Sequence, residues 1–312
     1  MNWRGWAKAE KSAPDIRRVR KDADRVGRIV YCNGDFRLEE DASISIFDRG
    51  FLFGDAVYEV TAVLAGRLID NDLHLDRFER SLAALSIPLP LPRSRLEQIQ
   101  AELMARNDLR EGTIYLQVSR GEADRDFLYP EGLAPNLIAF TQARKLADTP
   151  AQRNGIAVDL AEDLRWARRD IKTAMLLGQV LAKRQARTAG FDDVWMVESG
   201  LVTEGSSSTA FIITADGRVV TRPNSRSTLP GCTRKAVLRL CDDHGLRLDE
   251  RAFSPAEAQT AAEAFATSAS SFVTPVVKIG DAEIGDGRPG PMTRRLQSYY
   301  IEAALGAEPV HP

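Results

Sequence analysis

The sequence predicts an α+β protein of two domains with mainly antiparallel sheets. Three observations predict it. The chain has 312 residues, too long for one small domain and suited to two of ordinary size. Short apolar segments of strand length recur around turn dipeptides. Segments with helical apolar spacing are interspersed among them. The expected division is an N-terminal extension over 1–28, a small α/β domain over 29–145 and a larger domain over 146–312.

Residues 1–28 hold nine Lys/Arg against four Asp/Glu, leaving the remainder at −7. The segment lacks the apolar centre of a signal peptide, and its acids argue against a transit peptide. It reads as a solvated extension in which Trp3 and Trp6 could anchor a short helix. From residue 29 the pattern is β first. RIVYCNGDFRL is two strands around Asn33-Gly34, and FGDAVYEVTAVLAGRLID repeats the theme with a turn at Ala65-Gly66. In HLDRFERSLAAL, Leu75, Phe78, Leu82 and Leu85 form one helical face. RSRLEQIQAELMARN gives a second helix. TIYLQVSRG and NLIAFTQA are strands separated by a loop over 122–135, and the polar stretch 143–153 reads as a linker.

The second half restarts with the strand IAVDLAED, followed by Lys172 and a helix to about Thr188. DVWMV and LVTEG form one hairpin, and STAFIITADGRVV forms another. LPGCTRKAVLRLCDDHG is a turn opening a helix. The helix SPAEAQTAAEA leads to a strand FATSASSFVTPVVKIG, and MTRRLQSYYIEAAL closes the chain as a helix.

Composition excludes several classes. A net charge of −2 suggests neither nucleic acid nor an anionic membrane as partner. No apolar run approaches the roughly 18–20 residues that span a bilayer. Cys32, Cys232 and Cys241 are an odd set without CxxC spacing, so a reducing, cytoplasmic setting is expected. His74, His244 and His311 fit no metal motif, so no metal site is expected. GxSxG, the signature of a serine hydrolase, is absent.

Four stretches could carry chemistry, each with a plainer reading beside it. On a helix, Lys172, Lys183 and Arg187 would share one solvated cationic side. Alternatively, Lys172 stands at a strand-to-helix junction, where partial desolvation would make its amine a nucleophile toward an aldehyde. In LPGCTRKAVLRL, Pro230-Gly231 makes a turn and Cys232-Thr233 open a helix, which suits a phosphate or is simply a capped helix. Glu204 in VTEGSSSTAF is either a buried partner for a cationic ring or a solvated hairpin acid. Arg77 in HLDRFER is either a phosphate ligand or half of a surface ion pair.

Seven blocks in one order join these pieces: FDRGFLFGDAVYEV, HLDRFERS, TIYLQVSRG, EDLRWARRDIKTAMLLGQVLAK, VTEGSSSTAF, LPGCTR and ATSASSFVTPV. Together, over about residues 29–300, they resemble the class IV, or fold-type IV, pyridoxal-phosphate aminotransferases, closest to the D-amino-acid transaminase branch. The resemblance implies pyridoxal 5'-phosphate as cofactor, held mainly by the larger domain. Lys172 then falls on the lysine that binds it as a Schiff base and moves a proton between Cα and C4′. Glu204 falls on the acid paired with the pyridine nitrogen, which keeps the ring cationic. Arg77 and the turn Gly231-Cys232-Thr233 fall on phosphate ligands, Leu229 on the apolar residue against the ring, and Tyr58 on a tyrosine facing the substrate.

Two departures bear on the expected site. The branch typically carries Arg-x-His in the loop after its TRG motif, a pair that grips the substrate carboxylate from the neighbouring subunit. Here Arg125 matches and Phe127 replaces the histidine. Ala269 stands where a hydroxyl residue often lies near the phosphate. That leaves backbone N–H and Ser268 or Ser270, the latter also expected near the substrate. The implied activity is transfer of an amino group from a D-amino acid, such as D-alanine, to a 2-oxo acid in a homodimer, with relaxed acceptance of R-configured amines. The alternatives are an R-selective amine transaminase, an aminodeoxychorismate-lyase-like enzyme, an L-branched-chain aminotransferase, and a non-enzymatic interaction protein using the basic N-terminal segment.

Overall fold

The computed structural model describes residues 27–306; the expected extension therefore falls almost wholly outside the described residues. The first sheet has six strands: β1 (Ile29–Cys32), β2 (Asp35–Leu38), β3 (Ala56–Leu64), β4 (Arg67–Ile69), β5 (Gly112–Ser119) and β6 (Asn136–Ala143), in the spatial order β2-β1-β6-β5-β3-β4. Every pairing in it is antiparallel. Both expected hairpin turns form. Asn33, Ala65 and their glycines take positive φ, the backbone such tight turns need.

One face of this sheet is covered by α2 (Asn71–Ala84) and α3 (Arg93–Arg106). Leu75, Phe78 and Leu82 of α2, and Leu96, Ile99 and Leu103 of α3, pack on Val57, Val63, Ile114, Leu116 and Val118. Alternation sends the neighbouring residues of β3, Tyr58 and Val60, to the other face, where the cavity described below opens. A five-residue helix, α1 (Arg49–Phe53), leads into β3, and Asp48 caps it by accepting from Phe51 N.

The second sheet has nine strands: β7 (Ile156–Glu162), β8 (Asp193–Glu198), β9 (Leu201–Gly205), β10 (Thr209–Ile213), β11 (Val219–Thr221), β12 (Leu248–Glu250), β13 (Glu263–Ser268), β14 (Phe272–Ile279) and β15 (Ala282–Glu283). Its order is β12-β11-β10-β13-β14-β7-β8-β9, with β15 on β14. Only β11–β12, β14–β7 and β7–β8 are parallel. One face carries α6 (Cys232–Asp243) and α8 (Pro291–Gly306), packed over the stacked pair Phe211 and Phe265. Trp195, Phe253 and Val276 belong to the cluster beneath the other face. α5 (Leu177–Thr188) follows the lysine segment.

Four expectations about elements need correction. Lys172 is not on a helix but between β7 and α5, as its junction reading had it: α5 begins five residues later, and Thr173 makes an isolated antiparallel bridge to Val57 of β3. The backbone of this segment bonds to Ala56 and Tyr58, and those long-range bonds outweigh its helix-like apolar spacing. FATSASSFVTPVVKIG is not one strand but the antiparallel hairpin β13–β14, turning over Ala269–Ser271 with Phe272 at φ 53°. The helix expected over SPAEAQTAAEA shortens to α7 (Pro255–Gln259), because Glu263 and Ala264 are taken into β13. The linker stretch contains α4 (Pro150–Asn154), which Thr149 and Gln152 close with reciprocal capping bonds.

Candidate active site

A cavity of about 260 Å³ opens between the two sheets. Its walls carry Lys172, Tyr58, Arg77, Glu204, Leu229, Gly231, Cys232, Thr233, Ala269 and Ser270, ten of the twelve expected site residues. The other two, Arg125 and Phe127, lie on the exposed loop between β5 and β6 and do not line it. Phe127 is 80% exposed, and the Arg125 guanidinium rests over the Phe53 and Phe127 rings.

Lys172 is held by backbone. Tyr58 N donates to Lys172 O at 3.0 Å, and Ala174 N donates to Ala56 O at 2.9 Å. With its main chain fixed, the side chain reaches into the cavity, where Nζ donates to Tyr58 Oη at 3.2 Å. The Tyr58 ring is itself fixed by stacking on Tyr115, which stacks on Phe140. Lys172 is the only lysine on the cavity wall and has no carboxylate partner among the described residues.

Glu204 lies near the end of β9, only 5% exposed. Its Oε1 accepts from Arg165 Nη1 at 2.5 Å and its Oε2 from Leu229 N at 3.0 Å. Arg165 is held in turn by both oxygens of Asp163. Burial raises the Glu204 carboxyl above its ordinary range, while Arg165 and the Leu229 N–H oppose that rise. The solvated hairpin acid is thereby excluded: Glu204 is a buried carboxylate beside an arginine.

The same cavity holds an anion cradle. Gly231 precedes α6 and among the described residues no side chain caps the helix, which leaves its first N–H groups for a ligand. A Cβ at Gly231 would stand 2.8 Å from Thr209 Oγ1, so only glycine lets the turn come this close. Ser208 Oγ and Thr267 Oγ1 are buried on the same wall without a hydrogen-bond partner among the described residues. Buried hydroxyls with free N–H groups and a cation beside them suit a phosphate.

That cation is Arg77, on α2. Its Nε and Nη2 donate to Glu59 at 2.8–3.1 Å, and its Nη1 donates to Pro230 O at 2.9 Å, tying α2 to the turn before α6. His74 lies one helical turn back on the same face and donates Nδ1–H to Glu59 Oε2 at 2.5 Å. Although burial opposes charge on His74, Glu59 and Cys232 raise its pKa to about 9. The Arg77 guanidinium retains one Nη1 N–H that this network does not use, and with the free N–H groups of α6 and the buried hydroxyls the residues present fit a phosphate. His74, Glu59 and Arg165 were not singled out from sequence. A charged residue at a buried position of AVYEV, and His and Arg three apart on one helical face, were the available signals.

Glu59→Gln is expected to destabilise the fold by about 3–5 kcal/mol, because two buried cations lose their counter-charge. The His74 bridge also gives a pH signature. Its folded pKa lies above the unfolded value, so its contribution is full below pH 6.5 and is lost as pH rises through about 9. Thermal unfolding across that range should show this slope in the wild-type protein and lose it in Glu59→Gln.

Residues 56–279 match the amino-transferase class IV family, and the chain belongs to it. It is therefore an aminotransferase. Among its relatives are a D-alanine aminotransferase of Bacillus licheniformis, 37% identical over 276 residues (88% of this chain, 97% of that one), and one of Staphylococcus haemolyticus, 36% identical over 280 residues (88% and 98%). The fold matches a branched-chain amino acid aminotransferase of Escherichia coli with TM-score 0.83 at 22% identity, covering 89% of this chain and 95% of that one. It also matches a T.th. branched-chain amino acid aminotransferase with pyridoxamine 5'-phosphate, with TM-score 0.81 at 26% identity, covering 91% and 96%.

Proposed function

We propose that this chain moves the amino group of a D-amino acid such as D-alanine to a 2-oxo acid, with pyridoxal 5'-phosphate as cofactor. The observation that carries the reading is one cavity holding Lys172 Nζ against Tyr58 Oη, with an anion cradle and a buried Glu204 on its walls. The D-alanine aminotransferases matched over 88% of the chain support the substrate class. Pyridoxal 5'-phosphate, when bound, supplies an aldehyde for amines and a ring that draws electrons from the substrate Cα. Arg77, the N–H groups opening α6, Ser208 and Thr267 would hold its phosphate, Leu229 would pack on its ring, and Glu204 would face the ring nitrogen. Lys172 Nζ is the base that takes the Cα proton and returns it on the other side of the transfer, with Tyr58 Oη orienting it.

We read the active form as a homodimer. Leu177, Val180 and Leu181 of α5 are each more than half exposed, as are Phe127 and Leu128 of the β5–β6 loop. Arg125, outside the cavity of its own chain, would in that dimer serve the cavity of the second copy. The setting proposed is cytoplasmic: all three cysteines are buried and unpaired, and among the described residues no helix is long and apolar enough to cross a membrane.

The test is a panel of D-amino acids, L-amino acids and R-amines with pyruvate or 2-oxoglutarate. Turnover of D-alanine above L-leucine supports the reading; the reverse order assigns an L-branched-chain enzyme. Pyruvate released without an acceptor assigns a lyase. Phe127 in place of a hydrogen-bonding residue favours a relaxed site that also takes R-amines lacking a carboxylate. Arg125→Ala should lower kcat/KM for D-alanine by about tenfold or more, the loss of a charged hydrogen bond. It should lower that for 1-phenylethylamine of R configuration far less. Equal damage to both would count against a carboxylate role for Arg125.

A further inference from the structure

The cavity carries a cation that neither the proton transfer nor the anion cradle uses. Arg144 follows β6 at the cavity mouth, and its backbone N–H donates to Glu111 O at 3.3 Å. Its guanidinium makes a single long bond, Nη2 donating to the Ser270 carbonyl at 3.3 Å. The other arginines of the wall are committed: Arg77 to Glu59, Arg165 to Asp163 and Glu204, and Arg169 to Glu198. Arg144 has no carboxylate partner among the described residues, and its pKa is lowered by partial burial alone.

Its surroundings suit an anion. Gln142 and Thr113 face each other across β6 and β5, line the same wall, and make no side-chain hydrogen bond among the described residues. Opposite them, the β13–β14 turn brings Ser268 and Ser270 to the cavity, with Ser268 Oγ 2.8 Å from Ser271 Oγ. A guanidinium without a carboxylate partner among the described residues, on a wall that also carries Thr113, Gln142, Ser268 and Ser270, fits a carboxylate held by two parallel bonds. Under the transaminase reading, Arg125 of a second copy takes the substrate's α-carboxylate, which leaves this corner for the other end of the molecule.

We infer that Arg144 binds the distal carboxylate of a dicarboxylic substrate, and so sets how strongly this chain prefers acidic over neutral side chains. The inference rests on the transaminase reading for the identity of the substrate. The binding site itself can be tested without turnover.

Wild-type holoenzyme, Arg144→Gln and Arg144→Lys would be compared in two ways. The first is kcat/KM for D-glutamate against D-alanine. The second is binding of the unreactive pair glutarate and butyrate, followed by the change in cofactor absorbance. In Arg144→Gln, the D-glutamate to D-alanine ratio should fall by about tenfold or more, and glutarate should lose its advantage over butyrate. Arg144→Lys should fall between, since an ammonium keeps the charge but not the paired geometry. An unchanged ratio and an unchanged glutarate preference would overturn the inference, as would equal losses for both amino acids. A wild-type enzyme inert toward D-amino acids, yet binding glutarate through Arg144, would remove the transaminase assignment and keep the carboxylate site.

Discussion

Lys172→Ala is expected to abolish transamination while leaving a folded protein. Removing the proton carrier alone costs about 10²–10⁴-fold. The same substitution removes the amine proposed to join the cofactor, and losses at a residue with two roles are not independent. The fold should survive, because the segment is held by main-chain bonds from Tyr58 N and Ala174 N that alanine keeps. The side chain gives up one hydrogen bond, to Tyr58 Oη. Two measurements separate the roles. Borohydride treatment of wild-type protein should fix the cofactor onto the peptide containing Lys172, read by mass, and Lys172→Ala should show no such adduct. Single-turnover absorbance with D-alanine should show the amino-transfer half-reaction nearly stopped. Near-normal turnover in the variant would reduce Lys172 to a cavity-wall cation.

The placement of this lysine marks where sequence reading stops. Ile171, Met175 and Leu176 repeat at helical spacing, and that pattern alone extends α5 back over Lys172. What places the segment instead is an antiparallel bridge between Thr173 and Val57, more than a hundred residues away in sequence. The hairpins at Asn33-Gly34 and Ala65-Gly66 were legible because their turn chemistry is local. So was the α2 face, because its spacing needs no partner to be seen. The β13–β14 hairpin was hidden for an intermediate reason. Ser-Ala-Ser-Ser is a turn signal, but Phe272 at positive φ is imposed by the fold, not announced by the residue.

The site divides the same way. Motif order located Lys172, Glu204, Arg77 and the 231–233 turn, and these line one cavity. Order could not show that Arg77 is clamped by Glu59, that Glu204 is shared with Arg165, or that Arg144 turns its guanidinium toward Ser270. Each of these contacts joins residues distant in the chain. Arg125 shows the converse: matched by motif, it lies outside the cavity that its own chain forms.

Glu204→Gln should lower the rate of Cα deprotonation by about tenfold to a hundredfold, with little loss of cofactor. The magnitude follows from the value of a charged hydrogen bond, roughly 1.5–3 kcal/mol, with each 1.36 kcal/mol equal to tenfold in rate. The amide keeps the shape of the side chain and can still accept from Leu229 N, so the β9 strand end should not move. Arg165 keeps both oxygens of Asp163, and the buried cation is not left without a counter-charge. What disappears is the negative charge on the cavity wall that would hold a proton on the ring nitrogen. In the proposed reading the phosphate is held by Arg77 and the first N–H groups of α6, and the Leu229 N bond that sets the turn before α6 is one the amide keeps, so affinity for the cofactor should stay within a fewfold of wild type. The discriminating measurement is the deuterium isotope effect with α-deuterated D-alanine. It should rise in Glu204→Gln as proton removal becomes limiting, while the absorbance of bound cofactor stays near wild-type amplitude. Full rate with an unchanged isotope effect would mean that Glu204 serves only to anchor Arg165 and the 229–231 turn.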